Sequence, residues 1–502
     1  MSVFKTYSYG HEMLFLIKLS PEITIKSRVV RRRFTRQLRK NIARVLKEFG
    51  NQIQVWGKWD AIEVDVNYPE QANIRQIQDR LQNTPGIAQI CIVEKHQLSS
   101  MEVMLELSKN LHSHYLNGKT FAVRCKRTGD HSFSSVDVER FIGHGLLESC
   151  PTAKVNLRNP DVTVSLEIRD DYFYIIKDKF KGLGGFPLGC QDSVLSLISG
   201  GFDSSVSSYL CIKRGLQTHY CFFNLGGNSH EILVKEIALF LWMKFHSSHR
   251  VKFISVPFEG VVEEILSKVE NSQMGVILKR MMYRAGDAIA KKMGLNALVT
   301  GESIAQVASQ TLANLSVIED VSDSLILRPL CMSDKQEIIN MAREIGTENF
   351  SIDVPEYCAV ISKNPTTKAR ISRIEREESR IDERVLIEAL EDTKYQLISE
   401  LVDGVSKKEH HIAIVSSLTD CGIVIDIRHP NDIEISPLSF GVKVKILNIP
   451  FYSLSSQFKS LESNQDYSLY CDKGMMSRMH AAHLMELGFN NVSVLDFKVT
   501  SN

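Results

Sequence analysis

The chain is most easily bounded by what it lacks. Its ten cysteines are scattered over 502 residues with no Cys-x-x-Cys pair, which excludes a zinc ribbon or a disulfide framework and fits a reducing cytoplasm. No apolar run reaches membrane-spanning length and no signal peptide precedes the first expected strand, so no membrane partner is expected. Charge of one sign is missing too. The 60 Lys and Arg nearly cancel the 59 Asp and Glu, leaving +1, so a nucleic-acid site has to be a local patch. No internal repeat or low-complexity tract is present, and no glycine-rich loop ends in the Gly-Lys-Ser/Thr of a Walker A site. No metal-ligand cluster stands out either.

What is present suffices for several cores: 43% of residues are hydrophobic and 24% charged, over a length that predicts three or four domains. Residues 1–12 are polar and read as a short tail or an overlong start. A strand is predicted over Met13–Leu19, then a long helix from Arg28 to Phe49 with an apolar stripe of Val30, Phe34, Leu38, Ile42, Val45 and Phe49. Strands at Ile53–Trp56 and Ala61–Val66, a helix at Ile74–Gln82 and a strand at Ile87–Glu94 complete a β-α-β-β-α-β order, a ferredoxin-like unit. A further α+β stretch carries strands at Thr120–Lys126 and Thr163–Ile168, and Gly182–Pro187 reads as a linker. From 188 to about 355, apolar strands (Val194–Ser199, Thr218–Phe223, Val251–Val256, Ala297–Thr300) alternate with helices, predicting a doubly wound sheet with ligands at its C-terminal strand ends. Arg370–Glu400 reads as a charged helical bridge, and a compact α/β unit follows from about Ser417, with strands at Gly422–Ile427 and Tyr467–Cys471.

The most informative stretch is Ser199-Gly200-Gly201-Phe202-Asp203-Ser204. Two glycines at a strand-to-helix turn let backbone approach an anion while the first free N–H groups of the helix point at it. A lone Gly-Gly is usually just a turn; Ser199, Asp203 and Ser204 around it favour a phosphate cradle. The loop resembles the PP-loop of ATP pyrophosphatases, which cleave ATP between the α- and β-phosphates. After the strand Ala297–Thr300, the run Gly301-Glu302-Ser303-Ile-Ala-Gln306-Val-Ala-Ser309-Gln310-Thr311 suits a nucleotide base or ribose, or else is an ordinary polar cap. Lys279 and Arg280 are expected to reach phosphate oxygens. Arg328 and Lys335 place cations near a helix start, against the helix dipole, which hints at an anionic ligand.

Cysteine supplies the second chemistry. Cys358 follows a proline-marked break beside Lys363, which favours reactivity over the inert core role usual for cysteine. Cys471 ends a strand and opens Cys471-Asp-Lys-Gly474-Met-Met-Ser477-Arg478. Loop N–H groups, a helix N-terminus, Lys473 and Arg478 would there stabilise a thiolate or persulfide. With Asp426-Ile-Arg428 this resembles rhodanese domains, although Met476 stands where many rhodaneses have arginine, which favours a protein persulfide over thiosulfate as donor. A third element is basic. Lys26, Arg28, Arg31, Arg32, Arg33, Arg36, Arg39 and Lys40 crowd the first helix, and Lys119, Arg124, Lys126 and Arg127 precede His131-Ser-Phe133, a composition suited to RNA as well as to a solvated face.

Together, Lys18-Leu-Ser-Pro-Glu-Ile-Thr-Ile-Lys-Ser27, Phe133-Ser-Ser-Val-Asp-Val-Glu-Arg140, Gly184-Gly-Phe-Pro187, the Ser199–Ser204 loop, Cys358 and Cys471 resemble the bacterial tRNA 4-thiouridine synthetase family in its long form. The resemblance implies a multidomain α/β and α+β chain: a ferredoxin-like domain (1–74), a THUMP RNA-binding domain (75–179), a PP-loop domain (180–370), a charged helical linker (371–416) and a rhodanese-like domain (417–502). It implies ATP with Mg2+ as cofactor, held at Leu197, Ile198, Ser199, Gly200, Gly201, Ser204, Phe222, Phe223, Lys279, Gly301 and Gln310. Asp203 and Lys335 match positions important for activation, Cys471 the persulfide carrier, and Cys358 its transient disulfide partner. Arg31, Arg32, Arg36, Lys119, Arg124, Lys126 and Arg127 are the expected RNA contacts. The implied product is 4-thiouridine at position 8 of tRNA. The implied partners are tRNA, a cysteine desulfurase, a sulfur-carrier protein of thiamine thiazole synthesis and a thiol reductant, and a homodimer is compatible with the family. Two rivals stay open: an amide-forming synthetase on the same loop, and a tRNA-binding module with decayed active sites.

Overall fold

A computed structural model describes residues 12–50, 52–57, 61–67, 71–225, 227–352, 364–401, 412–415, 423–428, 430–438, 440, 444–471 and 475–495. The chain forms two compact units, Met1–Pro187 and Leu188–Asn502. Among the described residues no helix is long and apolar enough to cross a membrane.

The first unit is built on one eight-stranded sheet. Its strands are β1 (Glu12–Leu19), β2 (Ile53–Gly57), β3 (Ala61–Asn67), β4 (Ile87–Gln97), β5 (Thr120–Thr128), β6 (Lys154–Val155), β7 (Val162–Arg169) and β8 (Tyr172–Lys181), in the order β2-β3-β1-β4-β8-β7-β5-β6. Strands β1 to β4, with helices Arg28–Val45 and Gln71–Gln82, make the expected ferredoxin-like order. A boundary at residue 74 would cut the second of those helices; the unit closes only when β4 ends at Gln97. The free edge of β4 then pairs antiparallel with β8, from Gln89–Lys181 to Gln97–Tyr172, so both modules share one sheet.

In the long basic helix Phe34, Leu38 and Ile42 are buried as the stripe predicts. Beyond Val45 the chain tightens into a 3-10 turn, Leu46–Phe49. With 3.0 instead of 3.6 residues per turn the buried phase shifts, and Leu46, not Val45 or Phe49, enters the core. The motif Phe133–Arg140 is a helix start: Ser134 and Asp137 form a reciprocal capping box at Ser135–Ser149, and Glu139 accepts from the Cys125 N–H at 2.8 Å.

The second unit holds two sheets. The larger comprises β9 (Ser193–Leu197), β10 (Gln217–Asn224), β11 (Lys252–Pro257), β12 (Ala297–Val299), β13 (Leu325–Leu327) and β14 (Lys394–Leu397), ordered β13-β12-β9-β10-β11-β14. The first five strands are parallel, as expected of a doubly wound fold. Strand order reverses at β9 and β12, so a crevice opens at their C-terminal ends.

The stretch expected as a charged helical bridge is instead part of this body. Strand β14 adds antiparallel to the free edge of β11, while Ile374 and Ala389 from the two helices before it, and Ile381 between those helices, join the core of Leu298, Met281 and Tyr283. The charges dominate its composition, but the sparse apolar residues fall on one buried side.

The smaller sheet has β15 (Ile414–Val415), β16 (Ile423–Asp426), β17 (Lys445–Asn448), β18 (Tyr467–Tyr470) and β19 (Val492–Leu495), ordered β15-β19-β18-β16-β17 and all parallel. It packs on the larger body through Phe451, whose ring centroid lies 4.4 Å from that of Phe350, with Phe240 beside both. Glu236 and His480 meet there at 3.4 Å, both buried.

Candidate functional site

The apolar strand β9 runs straight into the Gly-Gly turn, and the helix Phe202–Lys213 leaves it. Gly200 takes φ +89°, a left-handed conformation that glycine adopts without a Cβ clash. Gly201 is the N-cap, so the turn ends on unpaired helix N–H groups. Ser204 stabilises the turn from within. Its hydroxyl accepts from Ser199 N–H at 3.2 Å and donates to Gly201 C=O at 3.1 Å.

This turn forms one wall of a cavity of 390 Å³, a size suited to a nucleotide. Leu197, Ile198, Ser199, Gly201, Asp203, Ser204, Phe222, Phe223, Lys279, Gly301 and Gln310 all line it. Gly200 is the apex of the turn between two lining residues, and Lys335 joins from outside through Asp203: its Nζ lies 3.1 Å from Oδ1 and 3.4 Å from Oδ2. The same carboxylate accepts from Gln306 Nε2 at 2.7 Å. Gly301 is required by approach rather than by φ. A Cβ there would lie 2.6 Å from the Asp203 carbonyl carbon and 2.7 Å from Ser204 N.

Sequence reading singled out the Gly301–Gln310 run without showing what it touches. Glu302 is 2% exposed. It accepts from Tyr283 OH at 2.6 Å, Arg328 Nε at 3.0 Å and Thr300 Oγ1 at 3.1 Å, with Lys279 Nζ 3.4 Å away. Burial alone would raise its carboxyl; Lys279, Tyr283 and Arg328 outweigh that and hold it below its ordinary value. Arg328 therefore serves a buried carboxylate. Arg280, expected at phosphate, is buried and turned away: Nε and Nη2 bond Glu378 at 2.7 and 3.0 Å. His230 was not expected at all. It lines the cavity with Nε2 3.3 Å from Ser199 C=O and its ring edge-on to Phe222, and burial lowers its pKa. A single histidine inside a helix carries no sequence signal of such a place.

Cys471 lies at the C-terminal end of β18, 6% exposed. The Ser477 N–H points at its sulfur from 3.4 Å and the Ser477 hydroxyl oxygen lies 3.3 Å from it, so the first turn of helix Met475–Glu486 faces the thiol. Lys473 and Cys358 lie outside the described residues. Asp426 and Arg428, at the end of β16, form a buried bidentate pair with bonds of 2.9 and 2.7 Å, and the guanidinium lies 5.2 Å from the Tyr470 ring centre. That pair braces the neighbouring strand end.

In the first unit, Arg32 and Arg36 are exposed and Arg31 half-buried on the long helix. Lys119, Arg124 and Lys126 are exposed; Arg124 donates to Leu157 C=O at 2.6 Å, and Arg127 to Gly129 C=O at 3.1 Å. Lys126 and Arg127 border, with Lys18 and Arg169, a hollow of 670 Å³ in which buried Glu167 bonds both Lys18 and Arg169. His131 and Phe133 stack 5.4 Å apart beyond it.

Residues 189–382 match the thiamine biosynthesis protein (ThiI) family, residues 99–178 the THUMP domain and residues 14–91 the ThiI ferredoxin-like domain. A tRNA sulfurtransferase of Saccharophagus degradans is 50% identical over 482 residues, 96% of this chain and 99% of that protein. One from Colwellia psychrerythraea is 48% identical over the same shares. A solved 4-thiouridine synthetase–RNA complex with bound ATP superposes with a TM-score of 0.67 at 27% identity, covering 77% of this chain and 99% of that one.

Proposed function

The chain belongs to the tRNA sulfurtransferase family, and on that premise we propose that it adenylates uridine at position 8 of tRNA with ATP and then installs sulfur carried by Cys471, making 4-thiouridine. The observation that carries this reading is the cavity at the switch of strand order, where the Gly-Gly turn and Asp203 share one wall and Lys335 bonds Asp203 from outside. ATP fits the residues present. The Gly301 approach leaves room for no side chain, and Gln310 Oε1 is a buried acceptor with no partner among the described residues, suited to an adenine amino group. Mg2+ is expected to enter with the triphosphate.

A uracil carbonyl oxygen is a poor leaving group, so its replacement needs activation. Attack of O4 on the α-phosphorus forms an O–P bond and expels pyrophosphate. Helix N–H groups after Gly201 and the Lys335 ammonium meet the charge that develops there. The terminal sulfur of a Cys471 persulfide, loaded by a cysteine desulfurase, attacks C4 and AMP departs. Cys358 attacks the Cys471 sulfur, leaving sulfur on C4 and a Cys358–Cys471 disulfide that a thiol reductant returns with two electrons. In the alternative order Cys358 releases hydrosulfide first and that attacks C4. Residues 417–502 act as the rhodanese-like carrier, residues 99–178 and the basic helix bind tRNA, and the same persulfide supplies a carrier protein for thiamine thiazole in the cytoplasm.

The test combines purified protein, unmodified tRNA, Mg-ATP, a cysteine desulfurase and cysteine, with mass spectrometry of the digested tRNA. ATP-dependent 4-thiouridine is expected, and Cys471→Ser should lose it while still releasing pyrophosphate. Undiminished thiolation by Cys471→Ser would refute the carrier role. Pyrophosphate release without any thiolation would move the sulfur acceptor to a carrier protein.

A further inference from the structure

One cavity-lining side chain has half of its hydrogen-bonding capacity committed and half unfilled. Gln306 sits in a loop closed on itself by backbone bonds: Gln306 N–H to Ser303 C=O at 3.3 Å, Ala305 N–H to Gln310 C=O at 2.9 Å and Gln310 N–H to Val307 C=O at 2.9 Å. Ala305 takes φ +62°, a left-handed conformation that a non-glycine residue adopts at a cost of order 1 kcal/mol. That backbone aims Gln306 at Asp203, which it meets at 2.7 Å.

Chemistry sets which end of the amide does so. An ionised carboxylate only accepts, so the NH2 end faces Asp203, and the carbonyl end is left as a fixed acceptor. That oxygen is buried and has no hydrogen-bond partner among the described residues, although the side chain lines the cavity. An unfilled buried acceptor calls for a donor from a ligand.

ATP carries its donors on the ribose hydroxyls and the adenine amino group, not on its phosphates. Asp203 lies in the first turn of the PP-loop helix, the anion-binding end, and phosphates present only acceptors there. The adenine end belongs with Phe222, Phe223 and Gln310. Beside the phosphates, the donor comes from the second substrate. We propose that Gln306 is a specificity-determining residue whose carbonyl accepts the N3–H of the uracil being activated. Uracil carries a proton on N3, beside the O4 that reacts. Cytosine carries a lone pair there, which would face the Gln306 carbonyl acceptor to acceptor. The inference rests on the adenylation reading of this cavity and assigns how that site chooses its base.

The test compares the full-length parent protein and Gln306→Met on tRNA transcripts with uridine or 3-methyluridine at the target position, both of which keep O4. Pyrophosphate release, ATP KM and tRNA affinity are measured. The parent should act on uridine and largely reject 3-methyluridine. Gln306→Met should lower kcat/KM on uridine about 10- to 100-fold, leave ATP KM and tRNA affinity unchanged, and lower the residual rate on 3-methyluridine no further. The 3-methyluridine arm needs no variant, so it decides even if Gln306→Met is unstable: full parent activity there overturns the inference. So does a Gln306→Met protein that keeps the parent's preference for uridine over 3-methyluridine, or one whose only defect is a raised ATP KM. If the parent releases no pyrophosphate with uridine tRNA, the adenylation reading itself has failed, and the assignment of Gln306 with it.

Discussion

Replacing Gly301 by alanine tests the site with a single methyl group. The added carbon would lie 2.6, 2.7 and 2.8 Å from the Asp203 carbonyl carbon, Ser204 N and Asp203 carbonyl oxygen. All three are backbone atoms, so no side chain can swing aside. Ordinary contact begins near 3.4 Å, so the end of β12 and the start of the PP-loop helix must separate by about 0.8 Å. Overpacking of this kind costs about 1–3 kcal/mol, or roughly 2–10 °C in midpoint for a body of this size. The larger effect is on turnover. Asp203 and Ser204 sit in the turn that moves, and a 1 Å misplacement of reacting groups costs about 10²-fold. Pyrophosphate release should fall by that order, with tRNA affinity intact and the fold retained by circular dichroism. Gly260→Ala is the control, since nothing lies within 4 Å of a Cβ there and its helix should be unharmed or slightly stabilised. Equal activity of Gly301→Ala and parent would refute the claim that this close approach sets the geometry of the cavity.

Lys335→Ala removes the ammonium beside Asp203, and pyrophosphate release should drop about 10²- to 10³-fold without loss of tRNA binding; a rate within threefold of the parent would show that Lys335 meets no developing charge. Arg280→Ala leaves buried Glu378 with Arg284 as its cation among the described residues, at a cost of about 3–5 kcal/mol, read as a lower thermal midpoint of the second unit; an unchanged midpoint would mean that the segment 364–401 is not braced there. Burial pushes the Glu236 carboxyl well above its ordinary value of 4.5, with His480 Nε2 3.4 Å away. The unfolded chain loses that proton first as pH rises, so burying Glu236 costs progressively more stability above about pH 4.5. Glu236→Gln should therefore gain on the parent in denaturation midpoint between pH 5 and pH 8, and a gap that stays flat with pH would contradict the assignment.

Much of the fold was legible because it is written in local patterns. The apolar runs of β9, β10, β11 and β12 are buried parallel strands, and such runs read directly. The Gly-Gly turn was legible because few residues other than glycine adopt its backbone. The charged stretch after Arg370 misled because composition hides which side is buried; β14 forms only because β11 offers a free edge about 140 residues earlier in the chain, with Lys252 opposite Leu397 and Ser255 opposite Lys394. The end of the ferredoxin-like module was misplaced at 74 because helix and strand signals do not say where a sheet continues.

By itself the sequence determined the strands, the phosphate-type turn and the residue types that chemistry needs, since each depends on neighbours a few positions away. Tertiary structure alone decided which of them meet. Gln306 and Lys335 reach Asp203 across 103 and 132 residues of chain, and Glu302 gathers Lys279, Tyr283 and Arg328 from two flanking elements. Arg280, the neighbour of Lys279, points instead to Glu378. Adjacent residues on a helix face directions about 100° apart, so which one enters the cavity is settled only by what the helix packs against.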